Sequence, residues 1–173
     1  MTGPNRTRAF LGLGGNLGDP ARSMAIALQT LDRHADLDVA RVSSLYRAPP
    51  WGKTDQPDFL NAVAEIETRL QPRELLDLCL DTERALKRER YERWGPRLID
   101  IDVLMFGDRR ISQDALEIPH PRMLQRAFVL VPLAEIAPGL MLEGRSIGDH
   151  LETLDAAGIE RISDDRSWWM EPV

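Results

Sequence analysis

Two helix-periodic stretches, each opened by a proline, lie between runs of residues that alternate with period two, and that order leaves few folds open. Asp19 and Pro20 supply an N-cap and a first helical residue. Met24, Ala27, Leu28 and Leu31 then keep the i, i+3, i+4, i+7 spacing of one buried face, to about Arg33. Pro72 opens the second helix, with Leu75, Leu76, Cys79 and Leu86 on its apolar stripe and Glu83 on that same side. Alternation predicts strands over residues 9–13, 38–46, 59–68 and 98–106. The resulting β-α-β-β-α-β order is the split βαβ, ferredoxin-like arrangement. It is an α+β fold with a mainly antiparallel sheet, helices packed on it and extra C-terminal elements. Residues 109–112 and 116–118 are expected to add short strands, and two later segments to add helices.

A chain of 173 residues with 43% hydrophobic content can bury the core of one ordinary domain, so residues 1–173 are expected to form a single domain. The formal charge of −6 argues against a general nucleic-acid binder, because no excess of Lys and Arg is available to neutralise a phosphate backbone. Any phosphate site has to be local. Cys79 is the only cysteine, which excludes an internal disulfide and a cysteine-based zinc site. No apolar run suits a signal peptide or a bilayer span. The expectation is a cytoplasmic monomer acting on small molecules, away from nucleic acid and membrane.

The segment from Arg93 to Leu104 carries the chemistry. On a strand, Asp100 and Asp102 leave the same face, roughly 6.5–7 Å apart. They share that face with Leu98, Leu104 and Phe106, while Ile99, Ile101, Val103 and Met105 make the other face a core surface. Two readings stay open for these acids, the solvated side of an edge strand or a Mg²⁺ site built from hard oxygen ligands. Lys87, Arg88, Arg90, Arg93 and Arg97 concentrate positive charge just before them. Lys87 reads as a cation at a helix C-terminus. Arg97 reads as a phosphate ligand, because its planar fork matches phosphate oxygens. Pro119-His120-Pro121-Arg122 with Arg126 presents a rigidly held histidine beside two arginines, a second phosphate-binding candidate. Trp51, Phe59 and Phe128 are either core or a sandwich for a flat heterocycle, with core the better reading for Phe128. The Gly12, Gly14, Gly15, Gly18 cluster fits neither G-x-G-x-x-G nor a P-loop and is expected to form a tight turn, with Asn16 bracing a neighbouring loop.

Taken together, Arg93-Trp94-Gly95-Pro96-Arg97-Leu98-Ile99-Asp100-Ile101-Asp102, Leu13-Gly14-Gly15-Asn16-Leu17-Gly18, the Ser43–Pro50 and Asp55–Asn61 stretches and Pro119-His120-Pro121-Arg122-Met123 resemble the 6-hydroxymethyl-7,8-dihydropterin pyrophosphokinases. The resemblance runs from about Phe10 to Pro138. It implies transfer of pyrophosphate from ATP to the pterin with release of AMP, in folate biosynthesis. Asp100 and Asp102 would bind two Mg²⁺ ions and, with Arg88 and Arg97, form the catalytic set. Arg97, Arg126 and His120 would grip the polyphosphate, and Glu83 and Trp94 would help form the ATP side. The pterin would lie between Phe59 and Phe128, hydrogen-bonded by Asn61 and bordered by Ala48, Pro49 and Trp51. This chain departs from the family pattern at Gly15, Lys87 and Leu80, and has Phe59 where tyrosine also occurs. A Mg²⁺-dependent phosphohydrolase and a non-catalytic ligand-binding module are the alternatives that the residues leave open.

Overall fold

The computed structural model describes residues 5–50, 55–89 and 99–172, the side chains of Arg88 and Glu89 excepted. The elements follow the expected order: β1 (Thr7–Gly15), α1 (Pro20–Asp32), β2 (Leu37–Val42), β3 (Tyr46–Ala48), β4 (Phe59–Thr68), α2 (Pro72–Glu89) and β5 (Asp100–Phe106). The sheet runs β3-β4-β1-β5 with every pairing antiparallel, and β2 lies beside β4 beyond the end of β3. This is the ferredoxin-like arrangement. A hairpin of β6 (Ile111–Gln113) and β7 (Leu116–Ile118) follows, then α3 (Ala127–Ile136). A small hairpin of β8 (Met141–Leu142) and β9 (Arg145–Ser146) leads to α4 (Ile147–Glu152), and β10 (Glu160–Arg161) adds to the outer edge of β3. Among the described residues, no helix is long and apolar enough to cross a membrane.

Both faces of the sheet are covered. Met24, Leu28 and Leu31 of α1 and Leu75, Cys79 and Leu86 of α2 pack on Leu11, Leu13, Ile66 and Val103. On the opposite face, Leu130, Leu133 and Ile136 of α3 and Ile147 of α4 pack on Phe10, Val63, Leu104 and Met105. Asp19 caps α1 by accepting the Arg22 amide. Burial pushes the Cys79 thiol up to about 12, so it stays protonated and behaves as a small core residue.

Three expectations are corrected. The strand expected over 38–46 is broken after Val42: Ser43 still donates its amide to the Val63 carbonyl and takes the Val63 amide on its hydroxyl, but the Ser44 amide and hydroxyl both donate to Glu135 on α3. The chain re-enters the sheet at Tyr46, and Tyr46–Ala48 form a short strand of their own. On β5, Leu104 is an extra residue, since Phe10 opposes Met105 and Leu11 opposes Val103. This bulge reverses the alternation, so that Met105 joins the α3 side and Phe106 the α1–α2 side. The glycine cluster is not a turn: Gly12, Gly14 and Gly15 lie within β1, and of the cluster only Gly18, at φ 62°, is left-handed.

Glu135 fastens α3 to this broken strand by accepting from the Ser44 amide, the Ser44 hydroxyl and the Tyr46 hydroxyl, each at 2.8 Å. Burial, with the Glu135 carboxylate beside it, pushes the Tyr46 phenol up. Glu135→Ala leaves those donors without their acceptor and is expected to cost about 2–4 kcal/mol. Urea unfolding would show it as a lowered midpoint at unchanged slope.

Candidate active site

Glycine in β1 and acid in β5 are set against each other. Gly14 is in register with Asp100 and Gly12 with Asp102, so the two carboxylates stand over a strip of bare backbone. On its other side Gly14 opposes Asn61 of β4. A Cβ placed on Gly14 would lie 2.8 Å from Asn61 Oδ1, and one on Gly12 would touch Leu104 at 3.4 Å. These two glycines are site residues that the sequence reading missed, although their spacing of two was a usable signal for one bare strand face.

The space they leave is a cavity of about 230 Å³ between the sheet and the start of α3. Asp100, Asp102, Pro49, Phe59, Asn61, Arg126 and Phe128 all line it. Phe59 and Phe128 are half-buried. The Arg126 guanidinium lies 5.5 Å from the centre of the Phe128 ring, a cation–π contact at the α3 N-terminus. Asn61 is 7% exposed and its Nδ2 has no hydrogen-bond partner among the described residues, so a buried donor faces a cavity that could supply an acceptor.

Behind the acids, at the outer edge of β5, a second and more open cavity of about 520 Å³ is lined by Leu80, Glu83, Lys87, Glu117 and His120. Asp100 and Asp102 line this one as well. The two carboxylates therefore stand where the cavities meet. Glu83 accepts from the amide of Ile101, the residue between them, at 2.6 Å. Burial raises the Glu83 carboxyl pKa, the Ile101 amide opposes that, and the Asp100 charge adds to it. His120 donates its backbone amide to Leu104 at 2.9 Å, and its Nδ1 accepts from the Arg122 amide. Burial lowers the His120 pKa; the Asp102 charge opposes the shift, and Arg126 and Arg122 reinforce it. In the neutral ring the hydrogen then sits on Nε2, as a donor.

Asn16 ties the end of β1 to the next loop, donating to Gln56 Oε1 at 2.8 Å and to the Pro57 carbonyl at 3.2 Å. Ala48 is buried in β3 beside Pro49. Trp51, Trp94 and Arg97 lie outside the described residues, as does the side chain of Arg88. Among the described residues, no group of three or more His, Cys, Asp or Glu side chains is placed to hold a metal ion.

Residues 10–138 match the family of 7,8-dihydro-6-hydroxymethylpterin-pyrophosphokinases. A 2-amino-4-hydroxy-6-hydroxymethyldihydropteridine pyrophosphokinase of Methylorubrum extorquens is 51% identical over 156 residues, covering 90% of this chain and 99% of that one. The enzyme of that name from Pseudomonas aeruginosa is 41% identical over 156 residues, covering 90% of this chain and 96% of its own. Among solved structures, the Plasmodium falciparum HPPK-DHPS protein superposes with a TM-score of 0.69 at 16% identity, covering 85% of this chain. The match takes in only 43% of that longer chain and bears on the fold alone.

Proposed function

Because the chain belongs to the 7,8-dihydro-6-hydroxymethylpterin-pyrophosphokinase family, we propose that it transfers the β,γ-pyrophosphoryl group of ATP to the hydroxymethyl oxygen of 6-hydroxymethyl-7,8-dihydropterin, in folate biosynthesis. The observation that carries this reading is the pair of carboxylates common to two cavities of unequal size. Transfer between two bound molecules needs such a shared wall, because the reacting oxygen and phosphorus have to meet there.

The smaller cavity takes the pterin. Phe59 and Phe128 supply apolar faces for a flat heterocycle, and the unpartnered Asn61 Nδ2 supplies a donor for its polar edge. Pro49, with Ala48 behind it, borders the ring, and Trp51 is assigned to the same border. The larger cavity takes ATP. Glu83 and Trp94 belong to the nucleotide side, and His120 offers its Nε2 hydrogen to phosphate oxygens. Arg88, Arg97 and Arg126 neutralise the polyphosphate. The hydroxymethyl oxygen attacks the β-phosphorus, the bond from that phosphorus to the α,β-bridging oxygen breaks, and AMP leaves. Positioning and charge neutralisation do most of the work in such a transfer, with little covalent help from protein groups.

Two carboxylates with no third His, Cys, Asp or Glu grouped with them among the described residues suit Mg²⁺, which keeps several waters and is commonly held by one or two carboxylates plus substrate phosphates. Asp100 and Asp102 would hold two such ions that arrive with the nucleotide. Bound there, Mg²⁺ supplies neutralising charge at the phosphates. On this reading the working unit is a monomer, and the use of ATP and the pterin as substrates favours the cytoplasm as its location.

The test is to incubate the purified protein with ATP, Mg²⁺ and 6-hydroxymethyl-7,8-dihydropterin and to identify the nucleotide product. AMP that forms only with pterin and metal together is the expected result. ADP, or AMP without pterin, points instead to another kinase or a Mg²⁺-dependent phosphohydrolase, and no product points to a ligand-binding module.

A further inference from the structure

The segment after α4 lies beyond residue 138, where the family match ends, yet it packs on Pro49, a wall residue of the smaller cavity. It runs antiparallel beside residues 43–49 and is fastened at several levels. The Trp168 indole donates to the Ser43 carbonyl and the Ile162 amide to the Leu45 carbonyl, each at 2.9 Å. Arg161 pairs with Tyr46 and Glu160 with Arg47, whose side chains also form an ion pair at 3.6 Å. Continued by two residues, that register brings Gly158 opposite Pro49. A Cβ on Gly158 would lie 3.3 Å from Pro49 Cγ and 3.4 Å from Cδ. Pro49 in turn lines the cavity together with Phe59 and Asn61.

We infer that the C-terminal segment is a splint for the substrate wall, and that Gly158 is the positioning residue that sets where Pro49 stands against the bound pterin. The inference rests on the reading of the smaller cavity as the pterin site. Two features direct the effect to the substrate. The proline ring has no flexible end that could swing aside, so an atom added at position 158 presses on the ring itself, and that ring is part of the cavity wall. Gly158 is exposed and its φ is not left-handed, so a side chain there meets no backbone strain and only the contact with Pro49 changes. The larger cavity, on the outer side of β5, has no contribution from Pro49.

The experiment compares wild type, Gly158→Ala and Gly158→Val by steady-state AMP formation, with each substrate varied at saturation of the other, and by thermal unfolding. Gly158→Val is expected to raise the pterin KM about tenfold, the scale of a sub-ångström displacement at a bound substrate. Its ATP KM and Tm should match wild type. Gly158→Ala asks only a few tenths of an ångström of Pro49. It is expected to move the pterin KM less and in the same direction, and it carries the test should the valine variant not fold. An unchanged pterin KM in a folded variant overturns the splint, and so does a parallel rise in both KM values, which a merely structural role would give. Wild-type protein without pterin-dependent turnover would instead overturn the proposed function, and this inference with it.

Discussion

Asp102→Ala is expected to abolish pyrophosphoryl transfer in a protein that still folds. The carboxylate is exposed at an edge strand, and exposed substitutions of this kind usually change stability by no more than about 0.5 kcal/mol. Catalysis should respond differently, because the substitution halves the donor set proposed for Mg²⁺. Charge stabilisation by a bound metal contributes several kcal/mol. At about 1.4 kcal/mol per factor of ten, the loss comes to about 10³-fold or more in kcat. The check is AMP formation alongside Tm and near-ultraviolet circular dichroism. Asp100→Ala should behave alike, since both acids line both cavities. Full activity in a folded Asp102→Ala protein would remove the metal assignment and favour the reading in which these acids simply face water.

The fold was legible where one segment's own pattern decided its structure. In the ten residues Phe59–Thr68 every second position, Leu60, Ala62, Ala64 and Ile66, is apolar, and β4 has those bounds. The cap at Asp19 and the stripe through Met24 and Leu31 likewise needed no partner to be read. What escaped depended on distant residues. Nothing in Ser43-Ser44 announces that Glu135, on α3, will take the amide and hydroxyl of Ser44 where the strand breaks. The bulge at Leu104 was hidden because leucine, methionine and phenylalanine suit either apolar face equally well, so a phase reversal left no trace in polarity. The C-terminal run has no clear period and gains its place from long-range contacts. One is the Gln29 side chain, which donates to the carbonyls of Trp169 and Glu171. The acids and rings of the site were readable as chemistry. That they line two adjoining cavities required the tertiary structure.

The glycines of β1 carry the second large effect, and it turns on a single methyl group. A Cβ at Gly14 would stand 2.8 Å from Asn61 Oδ1, inside the separation that real Cβ atoms keep, and at an ordinary 3.5 Å from the Leu60 carbonyl. The backbone of Gly14 is ordinary strand, so alanine is conformationally acceptable and the conflict falls on the Asn61 amide. That side chain has to turn away, taking its Nδ2 donor from the edge proposed for the pterin and thrusting itself into a cavity of about 230 Å³. Loss of a buried hydrogen bond to substrate costs about 1–3 kcal/mol. Gly14→Ala is therefore expected to weaken pterin binding about 10- to 100-fold, with the ATP KM little changed. Asn61→Ala should produce a loss of similar size by removing the donor outright. The double variant separates this account from a general disturbance of β1. With Asn61 already shortened, the added methyl meets no Oδ1, so Gly14→Ala should then do little further harm. Additive losses in the pair would mean that Gly14 acts through something other than Asn61.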